Sequence, residues 1–146
     1  MFAIIIKISV LINIPAKCMV IKRHIKNPLQ KKAKKGFRGY PLATIAYYGS
    51  NNETASKVAV GIIFEEGAEP TYMERWVSEH TDVRTDLTIN KEILQFIEKH
   101  SVRSVVITDR IIGCPHEEGI DYPEGDVCPK CPYWAHRDRW TGSTIH

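Results

Sequence analysis

Four side chains near the C-terminus are of the types that bind soft metal ions: Cys114, His116, Cys128 and Cys131, all within GCPHEEGIDYPEGDVCPKCPYW, Gly113 to Trp134. One residue separates Cys114 from His116, two separate Cys128 from Cys131, and eleven lie between the pairs. Each close pair can form a small knuckle, and Gly119, Pro123 and Gly125 let the chain between them turn back so that all four surround one ion. Three thiolates and one imidazole make a Cys3His set, the composition of tetrahedral structural zinc sites. Cys128-Pro-Lys-Cys131 is the stronger half, because two intervening residues aim both sulfurs at one point while backbone amides donate to them. Cys114-Pro-His116 is less regular, and His136 is the reserve ligand should His116 point away.

Other thiol chemistries fit these residues less well. Four cysteines in 146 residues, with Cys18 far from the rest, fall short of the density of a disulfide-built secreted scaffold, and a reducing, cytoplasmic compartment is expected. A redox dithiol at Cys128 and Cys131 would open a helix, which Pro129 and Pro132 disfavour, and it would leave Cys114 and His116 unexplained. His116-Glu117-Glu118 with Cys128-x-x-Cys131 also matches the outline of a zinc deaminase. Only nine residues separate Glu118 from Cys128, however, too few for a strand and crossover between two ligand-bearing helices, and Val127 stands where that motif has proline. Cys114 would moreover complete the coordination sphere, and a closed sphere has no open position for a reacting water.

Asp109 ends the apolar run SVVITD, and with Glu117 and Glu118 it could form the acidic cluster of a metal-dependent nuclease. The runs LATIAYYG and KVAVGIIF contribute no carboxylate to complete it, and the chain lacks a glycine-rich phosphate loop, a G-x-S-x-G elbow and an H-E-x-x-H motif. The expectation is therefore a non-enzymatic zinc protein. The alternative is a metal-dependent enzyme, hydrolase or nuclease- or deaminase-like, using Asp109, Glu117 and Glu118.

The elements that must position the cluster are read from periodicity. LATIAYYG and SKVAVGIIF are rich in β-branched and aromatic residues around the polar turn SNNET, and they predict a hairpin. PTYMERWVSEH opens on proline and places Met73, Trp76 and Val77 on one helical face, which predicts a helix. INKEILQFIEKH sets Ile89, Ile93, Phe96 and Ile97 on one stripe and predicts a second helix, after which SVVITD reads as a buried strand. The fold class expected is α/β (α+β): a two-layer sandwich in the order strand, strand, helix, helix, strand, followed by the zinc-knuckle tail. The division expected is an apolar start and flexible basic arm over 1–39, a body over 40–110 and a metal-binding tail over 111–146.

Charge is unevenly spread. Ten basic residues and no acidic one lie before residue 39, whereas residues 39–146 hold all seventeen carboxylates and the other ten basic residues, a net −7. Lys22, Arg23, Lys26, Lys31, Lys32, Lys34, Lys35 and Arg38, with Phe37 and Tyr40 close by, suit RNA or another single-stranded nucleic acid. Lysines neutralise phosphates and aromatics stack on unpaired bases. At most one transient helical turn is expected there, at Leu29 to Lys35. The knuckle is acidic, so a protein or base partner would instead meet Trp134, Arg137, Arg139 and Trp140. The first sixteen residues are too short and too polar to span a bilayer, so no membrane contact is expected. They alternate with a strand period from Ile4 to Ile14, or they precede a start at Met19.

Taken together, GFRGYPLATIAYYG, IIGCPHEEGIDYPEG and CPKCPYWAHRDRW resemble a family of small uncharacterised bacterial proteins, over about Phe37 to Trp140. The resemblance implies a bacterial-type cytoplasmic protein and makes Met19 a plausible start, with Met1 the alternative. It carries no activity with it.

Overall fold

The computed structural model describes residues 27–138, 141 and 143–145. The apolar start, Met19, Cys18, Lys22, Arg23, Lys26, Arg139 and Trp140 lie outside the described residues.

The predicted hairpin is present. β1 (Leu42–Tyr48) and β2 (Lys57–Ile63) run antiparallel, from Leu42 opposite Ile63 to Tyr48 opposite Lys57. In the turn between them the Asn51 side chain accepts from the amides of Glu53 (2.8 Å) and Thr54 (3.2 Å), the local bonding that makes asparagine a turn former. Gly49 packs so closely on the Thr54 carbonyl that no Cβ would fit.

The helix predicted over Pro70–His80 is instead a strand, β3 (Tyr72–Val77), antiparallel to β2 from Ile62 opposite Tyr72 to Lys57 opposite Val77. Tyr72, Glu74 and Trp76 alternate with Met73, Arg75 and Val77, a period of two that competes with the helical spacing over so short a segment. The free edge of β2 decides between them. Thr71 donates its amide to the Ile62 carbonyl and Ser78 to the Ser56 carbonyl, both at 2.9 Å, extending the ladder beyond the strand at each end. Trp76 then meets Phe96 of the helix layer, edge to face, with ring centroids 5.9 Å apart.

The second predicted helix forms as α2 (Leu87–Lys99), capped by Asp86, whose carboxylate accepts from the Ile89 amide at 3.0 Å. It buries Ile89, Ile93 and Ile97. β4 (Ser104–Ile111) follows, parallel to β1, and the sheet order is β3-β2-β1-β4. β4 is therefore an edge strand rather than an interior one. Val105 and Ile111 are buried while Val106 faces solvent, and the register slips between Ile45 and Tyr47, leaving Thr108, Asp109 and Arg110 out of the paired ladder.

Within the stretch read as a flexible arm, α1 (Pro28–Lys34) is a formed helix packed against β4 and α2. Asn27 caps it by accepting from the Leu29 amide at 2.9 Å, Pro28 opens it, and Leu29 is fully buried in the common core. The next residues are also fastened. The Arg38 amide donates to the Ser104 hydroxyl (2.7 Å), which donates to the Gly39 carbonyl (2.6 Å). A single leucine in a lysine-rich segment cannot order it alone. The groove between β4 and α2 supplies the missing apolar surface.

Both helices share one core with Ala43, Ile45 and Tyr47 of β1 and Val58, Val60 and Ile62 of β2. The alternate strand residues Thr44, Ala46, Tyr48, Lys57, Ala59 and Gly61 occupy the other face of the sheet. It is on this face that the cysteine loop lies. Among the described residues no helix is long and apolar enough to cross a membrane.

One ion pair fixes the hairpin to the segment before α2. Arg84 donates to both carboxylate oxygens of Asp82, at 2.9 and 2.7 Å, and Asp82 also accepts the Ala55 amide at 3.1 Å. Burial works to raise the Asp82 pKa, but the Arg84 side chain and the Arg84 and Ala55 amides outweigh it and hold the carboxyl below its ordinary value. A depressed folded-state pKa stabilises the fold above the unfolded value near 3.9, and that contribution is lost as pH falls through the folded value. Asp82→Asn is expected to cost about 1–3 kcal/mol at pH 7. Urea unfolding of both proteins should show the difference shrinking as the medium falls below about pH 4.

Candidate metal centre

The chain leaves β4 tied to the end of β1. Ile112 donates its amide to the Tyr47 carbonyl, and Gly49 donates to the Gly113 carbonyl, both at 2.9 Å. The second half of the loop is fastened at the same place, because Trp134 Nε1 donates to the Gly49 carbonyl at 2.8 Å. Between these ties Gly119 (φ 82°) and Gly125 (φ 86°) take the left-handed backbone that favours glycine, and the loop reverses as the spacing predicts.

The reversal brings the four side chains together. One ligand atom from each of Cys114, His116, Cys128 and Cys131 lies within 4.8 Å of all the others. His116 Nδ1 is 3.2 Å from the sulfur of Cys114 and 3.4 Å from each of the other two. With metal–sulfur and metal–nitrogen bonds of about 2.3 and 2.0–2.1 Å, tetrahedral geometry puts nitrogen about 3.6 Å from each sulfur. The four residues are therefore positioned to bind a metal ion with little movement. No disulfide joins the three cysteines, and His116, not His136, stands in the group.

Burial pushes the Cys114 thiol well up from its ordinary value and also raises that of Cys131. Cys128 is lower than ordinary: burial opposes ionisation there, but the Lys130 amide, the neighbouring thiols and the Cys131 amide outweigh it. An ion entering this site must displace protons, so its affinity falls as the medium becomes more acidic.

Two residues that the sequence reading did not single out hold the first knuckle. Lys57, the first residue of β2, is only 7% exposed, and its Nζ donates to the Pro115 carbonyl at 2.9 Å and to Glu117 Oε2 at 3.1 Å. Arg75 of β3 donates to Glu117 Oε1 at 2.9 Å. Lys57 and Arg75 together hold the Glu117 carboxyl below its usual range, Lys57 contributing most. The only trace in the sequence is a cation at one end of the apolar run KVAVGII and another inside YMERWV. Pro115 separates two ligands, so the sheet grips the knuckle at its centre.

Of the acids of the enzymatic alternative, Glu117 and Glu118 border one cavity beside Cys114 and His116, and Asp109 lines a different one. Asp109 is exposed in the β4 bulge, beside Arg110 and in a groove with Lys34 and Arg84. Glu117 is engaged by Lys57 and Arg75, and Glu118 accepts the Gly125 amide at 2.9 Å. Of the expected partner-binding residues, Trp134 anchors the tail, and the Arg137 guanidinium lies 4.2 Å from the centroid of the Tyr133 ring. Lys31, Lys34, Lys35 and Arg38 are exposed on and after α1, and Lys32 is half-buried.

Compared with protein-family models, curated proteins and solved structures, the chain matches none.

Proposed function

We propose that the protein is a non-enzymatic, cytoplasmic binding module that carries one structural zinc ion and takes RNA or another single-stranded nucleic acid as its partner. The carrying observation is the complete set of four protein ligands, near tetrahedral spacing before any ion is added. Three sulfurs and one nitrogen suit zinc, and a sphere filled by the protein reserves no position for a substrate. The ion's role is to lock the loop to the open face of the sheet.

The nucleic-acid reading draws support from the surface after α1, where Phe37 is 65% exposed beside Lys34, Lys35 and Arg38. The cations neutralise phosphates, and the ring offers a face for an unpaired base. Because α1 belongs to the core, the test is point substitution in the full chain rather than truncation. Lys31, Lys34 and Lys35 changed together to Gln should lower the slope of log affinity against log salt by about 0.7 per lysine on single-stranded RNA. Phe37→Ala should cost about 1–3 kcal/mol of binding. Fluorescence titration of labelled RNA at several salt concentrations checks both, and a wild type whose binding ignores salt removes the nucleic-acid reading.

A further inference from the structure

The open face of the sheet has a floor of small residues. Thr44 stands opposite Gly61 and Ala46 opposite Ala59, leaving a cavity of about 380 Å³ whose rim includes Tyr48, Met73 and Arg75. A Cβ on Gly61 would press to 3.1 Å from the Thr44 hydroxyl and 3.2 Å from the Pro70 ring, so the depression is part of the packing. Cys114 and His116 stand in its wall, and of the three clustered cysteines only Cys114 borders it. Cys128 and Cys131 are 7% and 1% exposed.

We propose that Cys114, with the metal in place, is a nucleophilic thiolate that accepts an alkyl group from a small electrophile bound in this cavity. The inference rests on the zinc reading. A thiol bound to such an ion is already deprotonated, and three thiolates with a neutral imidazole leave the centre one negative charge in excess. Amide donors quiet a thiolate. Cys114 accepts one such bond, from the His116 amide at 3.3 Å, and it is more exposed than the buried Cys128 and Cys131. A Cys114 sulfur lone pair forms the new C–S bond while the bond from that carbon to its leaving group breaks. The leaving group departs with the electron pair, and neither oxidant nor proton donor is required. The volume suits a small molecule, and a floor of Ala46, Ala59 and Gly61 below walls that carry Lys57, Arg75, Glu117 and Glu118 suits one with an apolar body and a polar end.

The test uses the full chain with Cys18→Ser, so that only the clustered thiols report, and with zinc content measured first. Under limiting iodoacetamide, peptide mass spectrometry should find Cys114 alkylated at least about tenfold faster than Cys128 or Cys131. Ala59→Leu, which fills the floor, should slow that reaction severalfold with zinc content unchanged. Equal alkylation of all three cysteines with loss of zinc, an unreactive Cys114 in zinc-loaded protein, or indifference to Ala59→Leu overturns the proposal alone. A protein that binds no zinc at the outset overturns the zinc reading and this proposal with it.

Discussion

Cys131→Ser is expected to abolish stoichiometric zinc binding and to loosen the segment from Cys114 to Trp134, while the sheet and its two helices remain folded. The unfolded tail has no preformed site, so the binding free energy of the ion, about 10–16 kcal/mol for structural zinc in small domains, appears as folding energy of the loop. Cys131 is the most deeply buried of the three sulfurs, and serine offers no soft ligand in its place. The core should survive because Leu29, the strand residues and Ile89, Ile93 and Ile97 form a cluster that needs none of the four ligands. Metal analysis of protein purified without added zinc, followed by limited proteolysis of wild type and variant, checks the outcome. An unchanged cleavage pattern together with retained zinc would falsify it. The raised Cys114 and Cys131 thiols add a sign. Wild-type protein should lose its ion on acidification, as protons compete for the sulfurs.

Leu29→Ala should destabilise the protein by about 2–5 kcal/mol, the usual cost of emptying a buried leucine site. Leu29 is 0% exposed and belongs to the same cluster as Ile45 and Ile93. Were Leu29 on a free arm, the substitution would change nothing. Chemical denaturation of the full chain distinguishes the two, with a lower midpoint and an unchanged slope as the expected result. Deleting everything before Phe37 should cost at least as much. A loss of nucleic-acid binding on such a truncation would then report a damaged core as readily as a lost contact.

The features legible in the sequence are those whose determinants lie within a dozen residues. The β1–β2 hairpin follows from two β-rich runs and an asparagine turn, and α2 from a stripe of Ile89, Ile93, Phe96 and Ile97. The ligand set follows from two knuckles and the glycines that let them meet. Their spacing left His116 as the fourth member with His136 in reserve, and it is His116 that stands beside the three sulfurs. What was not legible depends on a distant partner. YMERWV carries both a helical and a strand period, and the unpaired edge of β2 selects the strand. PLQKKAK has one apolar anchor, too little to order a helix until β4 and α2 close over Leu29. The grip of Lys57 on Pro115 and Glu117 spans about sixty residues, and no local pattern marks a lysine at a strand end as a strut for a metal loop. Composition and spacing determined which atoms could meet an ion. Sheet pairing and burial decided where that loop sits, because backbone edges and apolar faces find their partners only when the whole chain is folded.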